Sequence, residues 1–151
     1  MSSFFNAETI SVHVGIKNSN GYWIEEYTSK SGEKMKLWEC PCCGYPTLRE
    51  LDSFEICFLC WWEDDGQGDG DADRVKGGPN GDYSLTEARK NFREWLIIFR
   101  PLDSRFNALR NEKLDSKKRE IISIFSELGD DNREDMLRRV NDLKELLMRE
   151  K

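Results

Sequence analysis

Residues 38–62 read WECPCCGYPTLRELDSFEICFLCWW and hold all five cysteines of the 151-residue chain. Cys40 and Cys43 form one C-x-x-C pair and Cys57 and Cys60 another, with thirteen residues between the pairs. This spacing predicts a four-thiolate zinc site made from two turns and a short hairpin. In such a turn two sulfurs converge on one ion while backbone N–H groups hydrogen-bond the sulfurs and offset their charge. Two turns complete a tetrahedron with metal–sulfur distances of ~2.3 Å. Four protein ligands leave no position for water or substrate, so the expected role of the zinc is structural. Rubredoxin-type iron asks for the same four thiolates, and the spacing leaves zinc and iron both open.

The two turns differ in their intervening residues. The first reads C-P-C-C-G, in which Pro41 stiffens the entry and Gly44 relieves the exit, so Cys40 and Cys43 are the expected ligands rather than Cys42. The second reads C-F-L-C-W and has neither Pro nor Gly. Cys42 is then the odd thiol. A nucleophilic role would need a group that lowers its pKa; no histidine is near in sequence, which favours a packed, inert residue.

The chain carries 34% charged residues and a net charge of −6. That charge is concentrated: residues 37–83 hold three basic and eleven acidic side chains. An acidic centre repels a phosphate backbone and argues against nucleic acid as the partner. No uncharged apolar run in the chain is long enough to span a bilayer. The first residues lack the pattern of a signal peptide, and paired thiols without export point to a reducing, cytoplasmic setting.

Upstream, Ile10, Val12, Val14 and Ile16 alternate with Ser11, His13 and Gly15, the period-2 pattern of a half-buried strand. Asn20-Gly21 is a turn signal, and a second strand through Trp23 completes an N-terminal hairpin. His13, the single histidine, falls on the solvent face with no acidic or thiol partner. Met35 to Glu39 then leads as a strand into the first turn, and residues 47–50 are expected to pair with 53–56 around Leu51-Asp52. Residues 61–83, acidic and rich in Gly, show no periodicity and read as a long loop. Asp69, Asp71 and Asp73 alternate as in a calcium loop, but Arg74 and Asn80 stand where an EF-hand needs Gly and Glu.

Ser84-Leu85-Thr86-Glu87 is a capping box opening the clearest helix, with Leu85, Ala88, Phe92, Trp95, Leu96 and Phe99 on one face and Pro101 as its stop. Asp103 is expected to cap a short helix bearing Phe106, Leu109 and Leu114. Another is expected over 117–128, closed by Gly129. Asp131 marks the cap of the last helix, whose stripe is Met136, Val140, Leu143 and Leu147. That stripe serves packing within the chain or, as the alternative, a homodimer.

Three segments, CPCCGYPTL, FEICFLCWWEDDGQ and GGPNGDYSLTEARKNF, together resemble the bacterial cysteine-rich CPCC family over about residues 38–93. Phe58, Trp61 and Pro79 depart from the residues usual in that family. The resemblance implies no enzymatic activity; it suggests small bacterial accessory proteins, some of them candidate immunity proteins that neutralise secreted toxins.

The expected architecture is α+β. A hairpin extension (1–36) precedes a zinc-ribbon-like domain with its capped helix (37–100) and a C-terminal helical group (101–151), with three or four helices in all. Cys40, Cys43, Cys57 and Cys60 are the expected zinc ligands. The expected function is non-enzymatic protein binding, concretely immunity against a basic toxin or nuclease. Trp62, Glu63, Asp64, Asp65, Asp69, Asp71 and Asp73 form the expected partner surface. For Trp62, Glu63, Asp64 and Asp65 the structural reading is an acid–Arg89 ion pair pinning the loop to the capped helix, with Trp62 covering the metal site. The competing functions are a nucleic-acid-binding zinc-ribbon regulator and, behind it, an enzyme using Cys42 or the Glu63-Asp64-Asp65 carboxylates.

Overall fold

Strands lead directly into the cysteine turns. The computed structural model describes residues 16–17, 23–28, 34–128 and 132–149. The rest of the Ile/Val row, His13, the Asn20-Gly21 turn, Gly129 and Asp131 lie outside the described residues. Within them, strands β1 (Ile16–Lys17), β2 (Trp23–Thr28), β3 (Lys34–Glu39) and β4 (Pro46–Leu48) form one antiparallel sheet in the order β1-β2-β3-β4. Ile16 pairs with Ile24 and Ile24 with Trp38, so the N-terminal hairpin extends the sheet that carries the first cysteine turn.

The hairpin expected between the cysteine pairs is not the one that forms. Strand β4 pairs back onto β3 (Trp38 with Leu48, Glu39 with Pro46), while Ile56 bridges Glu63. Residues 47–50 and 53–56 are therefore not paired as strands; they meet through the Glu55 carboxylate, which accepts from the N–H groups of Arg49 and Glu50. Each C-x-x-C turn is itself the bend of a hairpin, so the arms flanking a turn pair with each other. The register shift between Trp38 and Glu39 accommodates that bend.

The 61–83 segment is built rather than open. Two short 3-10 turns, Asp69–Asp71 and Gly78–Asn80, lie within it. The Gln67 amide donates to the carbonyls of Asp71 (2.8 Å) and Arg74 (2.7 Å). Asn80 brackets Glu63 as a strand would, accepting from its N–H at 3.1 Å and donating to its carbonyl at 2.7 Å. Both amides are buried, where unmet polar groups would be costly.

Helix α1 (Leu85–Trp95) starts as expected, with the Ser84 hydroxyl accepting from the Glu87 N–H at 3.0 Å. The Glu87 carboxylate pairs with Arg100. Its end comes earlier than Pro101. Leu96 takes a left-handed φ of 58°, and the chain leaves the helix there. Three contacts hold that exit: Leu96 N–H to the Phe92 carbonyl, Lys118 Nζ to the Leu96 carbonyl, and Asn91 Nδ2 to the Ile98 carbonyl. Tertiary burial decides the stop, since Ile97, Ile98 and Phe99 all enter the core.

Asp103 caps the short helix α2 (Ser104–Ala108). Leu114 does not belong to it. Asn111 caps helix α3 (Glu112–Ser126) by accepting from the Leu114 N–H at 2.8 Å, so α3 begins before residue 117. Helix α4 (Arg133–Arg149) follows. Of its stripe, Val140 and Leu147 are buried, and Met136 and Leu143 pack on the same cluster. The stripe thus packs inside this chain, the first of the two uses expected of it. One core runs from Cys40 to Leu147 through Leu48, Leu59, Trp62, Leu85, Ile97 and Ile121. Each fully buried large apolar side chain there contributes about 1.5–3 kcal/mol.

Candidate metal centre

The two cysteine turns have matching backbone bonds. In the first, the Cys40 N–H reaches the Tyr45 carbonyl (2.9 Å) and the Gly44 N–H the Cys40 carbonyl (2.8 Å). In the second, the Cys57 N–H reaches the Trp62 carbonyl and the Trp61 N–H the Cys57 carbonyl, both at 2.8 Å. The residue after each pair has a left-handed φ: 79° at Gly44 and 75° at Trp61. Glycine adopts that conformation freely, whereas a bulky side chain is strained by about 1–2 kcal/mol. The second turn thus reaches the geometry of the first without the residues that favour it.

The four sulfurs converge. Those of Cys40, Cys43, Cys57 and Cys60 all lie within 4.8 Å of one another. Cys40 Sγ is 3.6 Å from Cys60 Sγ, and Cys43 Sγ is 3.7 Å from Cys57 Sγ. A tetrahedron with metal–sulfur bonds of ~2.3 Å has edges of about 3.8 Å, so the donor set and its spacing fit a tetrathiolate metal ion. No cystine links them; all five cysteines are free.

Hydrogen-bond donors surround the cluster. The Cys42 N–H points to Cys40 Sγ and the Trp62 N–H to Cys60 Sγ, each at 3.4 Å. The Thr47 hydroxyl lies 3.0 Å from Cys57 Sγ. Burial above all pushes the thiols of Cys40, Cys43 and Cys60 well up. Burial acts on Cys57 in the same sense, but hydrogen bonds from the other three cysteines and Thr47 outweigh it and hold this thiol well below its ordinary value. Ionising all four together in this buried place calls for a cation.

Cys42 stands apart. It is buried, and burial raises its thiol, with hydrogen bonding to Cys60 opposing less strongly. A thiol pushed up by apolar surroundings is a poor nucleophile.

The turns are tied to the helices at separate points. Arg89 on α1 donates from Nε to the Pro41 carbonyl at 2.9 Å and from Nη2 to Asp69 at 2.7 Å. It pins both the first turn and the following segment, through Asp69 rather than through Glu63, Asp64 or Asp65. The Ile98 N–H reaches the Cys60 carbonyl at 3.0 Å, tying the second turn to the chain after α1.

These three features (paired turns, converging sulfurs and the bracketing Asn80) all lie between residues 38 and 98. That segment matches the cysteine-rich CPCC family. The match covers 61 of the 151 residues and runs past the residues that carry the motif, through the buried Ile97 and Ile98. No curated protein and no solved structure matches the chain.

The residues named above as a partner surface divide in the CPCC segment. Trp62 is 0% exposed and Asp64 1% exposed, so neither is available to a partner. Trp62 fills the core beside the sulfurs, and Asp64 accepts from the N–H groups of Asp52 (2.8 Å) and Gly66 (3.4 Å). Glu63, Asp65 and Asp71 are half-buried, while Asp69 and Asp73 are exposed. Asp65 accepts from Gln67 N–H, Asp71 from Gly68 N–H and Asp73 from the Thr86 hydroxyl. With Asp69 on Arg89, the three aspartates of the alternating run brace three different neighbours. Sequence reasoning missed Thr47, Gln67, Asn80 and Lys118. For Thr47, Gln67 and Asn80 the signal was their place in the segments that resemble the family; Lys118 had none.

Proposed function

We propose that the chain is a zinc-stabilised, non-enzymatic protein-binding module. The observation that carries this is the closed set of four sulfurs, whose spacing suits a tetrahedral ion with every position taken by protein. An ion so enclosed would supply cross-linking energy to the fold and no site for a reacting ligand. Zinc is the ion of choice for four thiolates in a small structural site.

Support for a protein partner comes from the charge and its fixation. The 37–83 region carries an excess of carboxylates, and two exposed ones, Asp69 and Asp73, are braced by Arg89 and Thr86. A braced acidic face suits a basic partner, speeding encounter through complementary charge. Resemblance to the CPCC family makes a secreted basic toxin the concrete partner, with this chain as its immunity protein. The arginines of α4 do not favour the alternative of nucleic acid: Arg138 pairs with Glu134 and Asp135, and Arg139 with Glu120.

The test is titration of the purified chain against basic toxin domains, including any encoded beside its gene, at several ionic strengths. Tight binding that weakens with salt and slows in Asp73→Asn is the expected result. Absent or salt-insensitive binding would remove the immunity reading, and retention of an RNA or DNA probe at low salt would favour the regulator instead.

A further inference from the structure

The second turn lacks a sulfur contact that the first has. In the first, a backbone N–H two residues on, that of Cys42, points to the sulfur of the leading cysteine, Cys40. Among the described residues no N–H takes that part for Cys57. The donor facing Cys57 is the hydroxyl of Thr47, which comes from β4 on the arm of the opposite turn. Thr47 is 4% exposed, and Cys57 is 0% exposed, so water does not compete for either atom. A threonine hydroxyl has one proton to donate, and among the described residues its one partner is this sulfur.

Geometry elsewhere at the turn explains why a substitute is needed. The second turn has Phe58 and Trp61 in place of the Pro and Gly of the first, and Trp61 holds a left-handed φ against its own preference. Among the described residues this turn aims one N–H, that of Trp62, at the sulfur of Cys60 and none at that of Cys57. A side-chain hydroxyl on a neighbouring strand is independent of that turn. Strand pairing fixes it in place: Leu48 pairs with Trp38 on β3, directly after Thr47.

We propose that Thr47 is a positioning residue of the metal centre, its hydroxyl donating to the Cys57 sulfur and replacing the N–H contact that the second turn does not supply. This rests on the tetrathiolate reading above. A hydrogen bond to a ligating sulfur orients it and disperses its charge. Groups in this outer position change metal affinity by roughly 10–100-fold when removed.

The experiment compares wild type, Thr47→Val and Thr47→Ser, each loaded with cobalt(II) as a spectroscopic probe and then with zinc in competition with a chelator. Wild type is expected to give the sulfur-to-cobalt charge-transfer bands of four thiolates. Thr47→Val should shift those bands and weaken zinc retention about tenfold, while Thr47→Ser keeps both within twofold. If wild type itself shows no tetrathiolate bands, the metal reading fails before Thr47 is at issue. Identical bands and identical chelator curves in all three proteins would overturn the Thr47 inference alone. So would a Thr47→Ser protein as impaired as Thr47→Val, a comparison that also holds if the valine variant fails to fold.

Discussion

The first cysteine turn and the second have the same backbone bonds but reach them by different routes. Residues 40–45 are shaped locally: Gly44 takes its left-handed φ without strain, and no neighbouring atom lies within 4 Å of where its Cβ would be. Residues 57–62 are shaped from outside. Trp61 is held at φ 75°, Phe58 is buried under the Lys144 ammonium of α4, and the Cys60 carbonyl is taken by Ile98. One turn is thus encoded in its own residues and the other in what packs on it. The metal centre needs both, which makes the helices part of the site although they hold no ligand.

The strongest way to break this comparison is at the ligands. Cys43→Ser and Cys60→Ser, one from each turn, should each abolish stoichiometric zinc and remove most of an apparent binding energy on the order of 10 kcal/mol. Cys42→Ser should keep one zinc per chain by elemental analysis. A Cys42→Ser protein that lost its metal would redraw the ligand set.

Trp61→Gly is the sharper test of imposed geometry. Glycine relieves the left-handed φ, a gain of about 1 kcal/mol. The indole, however, lines a cavity with Leu109, Leu114 and Leu147, and removing it takes apolar contacts from α3 and α4. Urea denaturation should show a net loss of about 1–2 kcal/mol. Stabilisation by this change would mean the packing does not hold the turn.

At the first turn the corresponding change is Gly44→Ala, whose whole effect should be conformational, about 1 kcal/mol destabilising by the same measurement. Open space around the site excludes a clash as the cause. Smaller still is Arg89→Ala. Its ion pair with Asp69 is largely exposed and contributes only about 0–1 kcal/mol. Its bond to the Pro41 carbonyl adds a comparable amount. Amide exchange should quicken at 40–45 and 69–72 and remain unchanged at 57–62.

Legibility followed the same divide. The ligands could be read because C-x-x-C spacing is a local property, and Ser84 because a cap acts within its own turn. The pairing of β4 with β3 is not legible in the residues between the cysteine pairs, because each turn joins the arms on its own two sides. Helix α1 was read too long for a related reason: Leu96 continues the apolar face, and only Lys118 and Asn91, distant in sequence, show why the chain turns there. The acidic segment lacks periodicity, yet the paired amide contacts of Gln67 and of Asn80 order it, and periodicity carries no trace of such contacts. Asp64 looked like surface because it sits among charges, and it is interior, as is Trp62.

The account stands or falls on whether one ion joins the two turns and, through them, the helices. The direct measurement is metal content together with the near-ultraviolet circular dichroism of the five tryptophans, before and after a chelator under reducing conditions. One zinc per chain is predicted, with the tryptophan signal collapsing in step with its release. A metal-free chain with an undiminished signal and an unchanged melting temperature would contradict it.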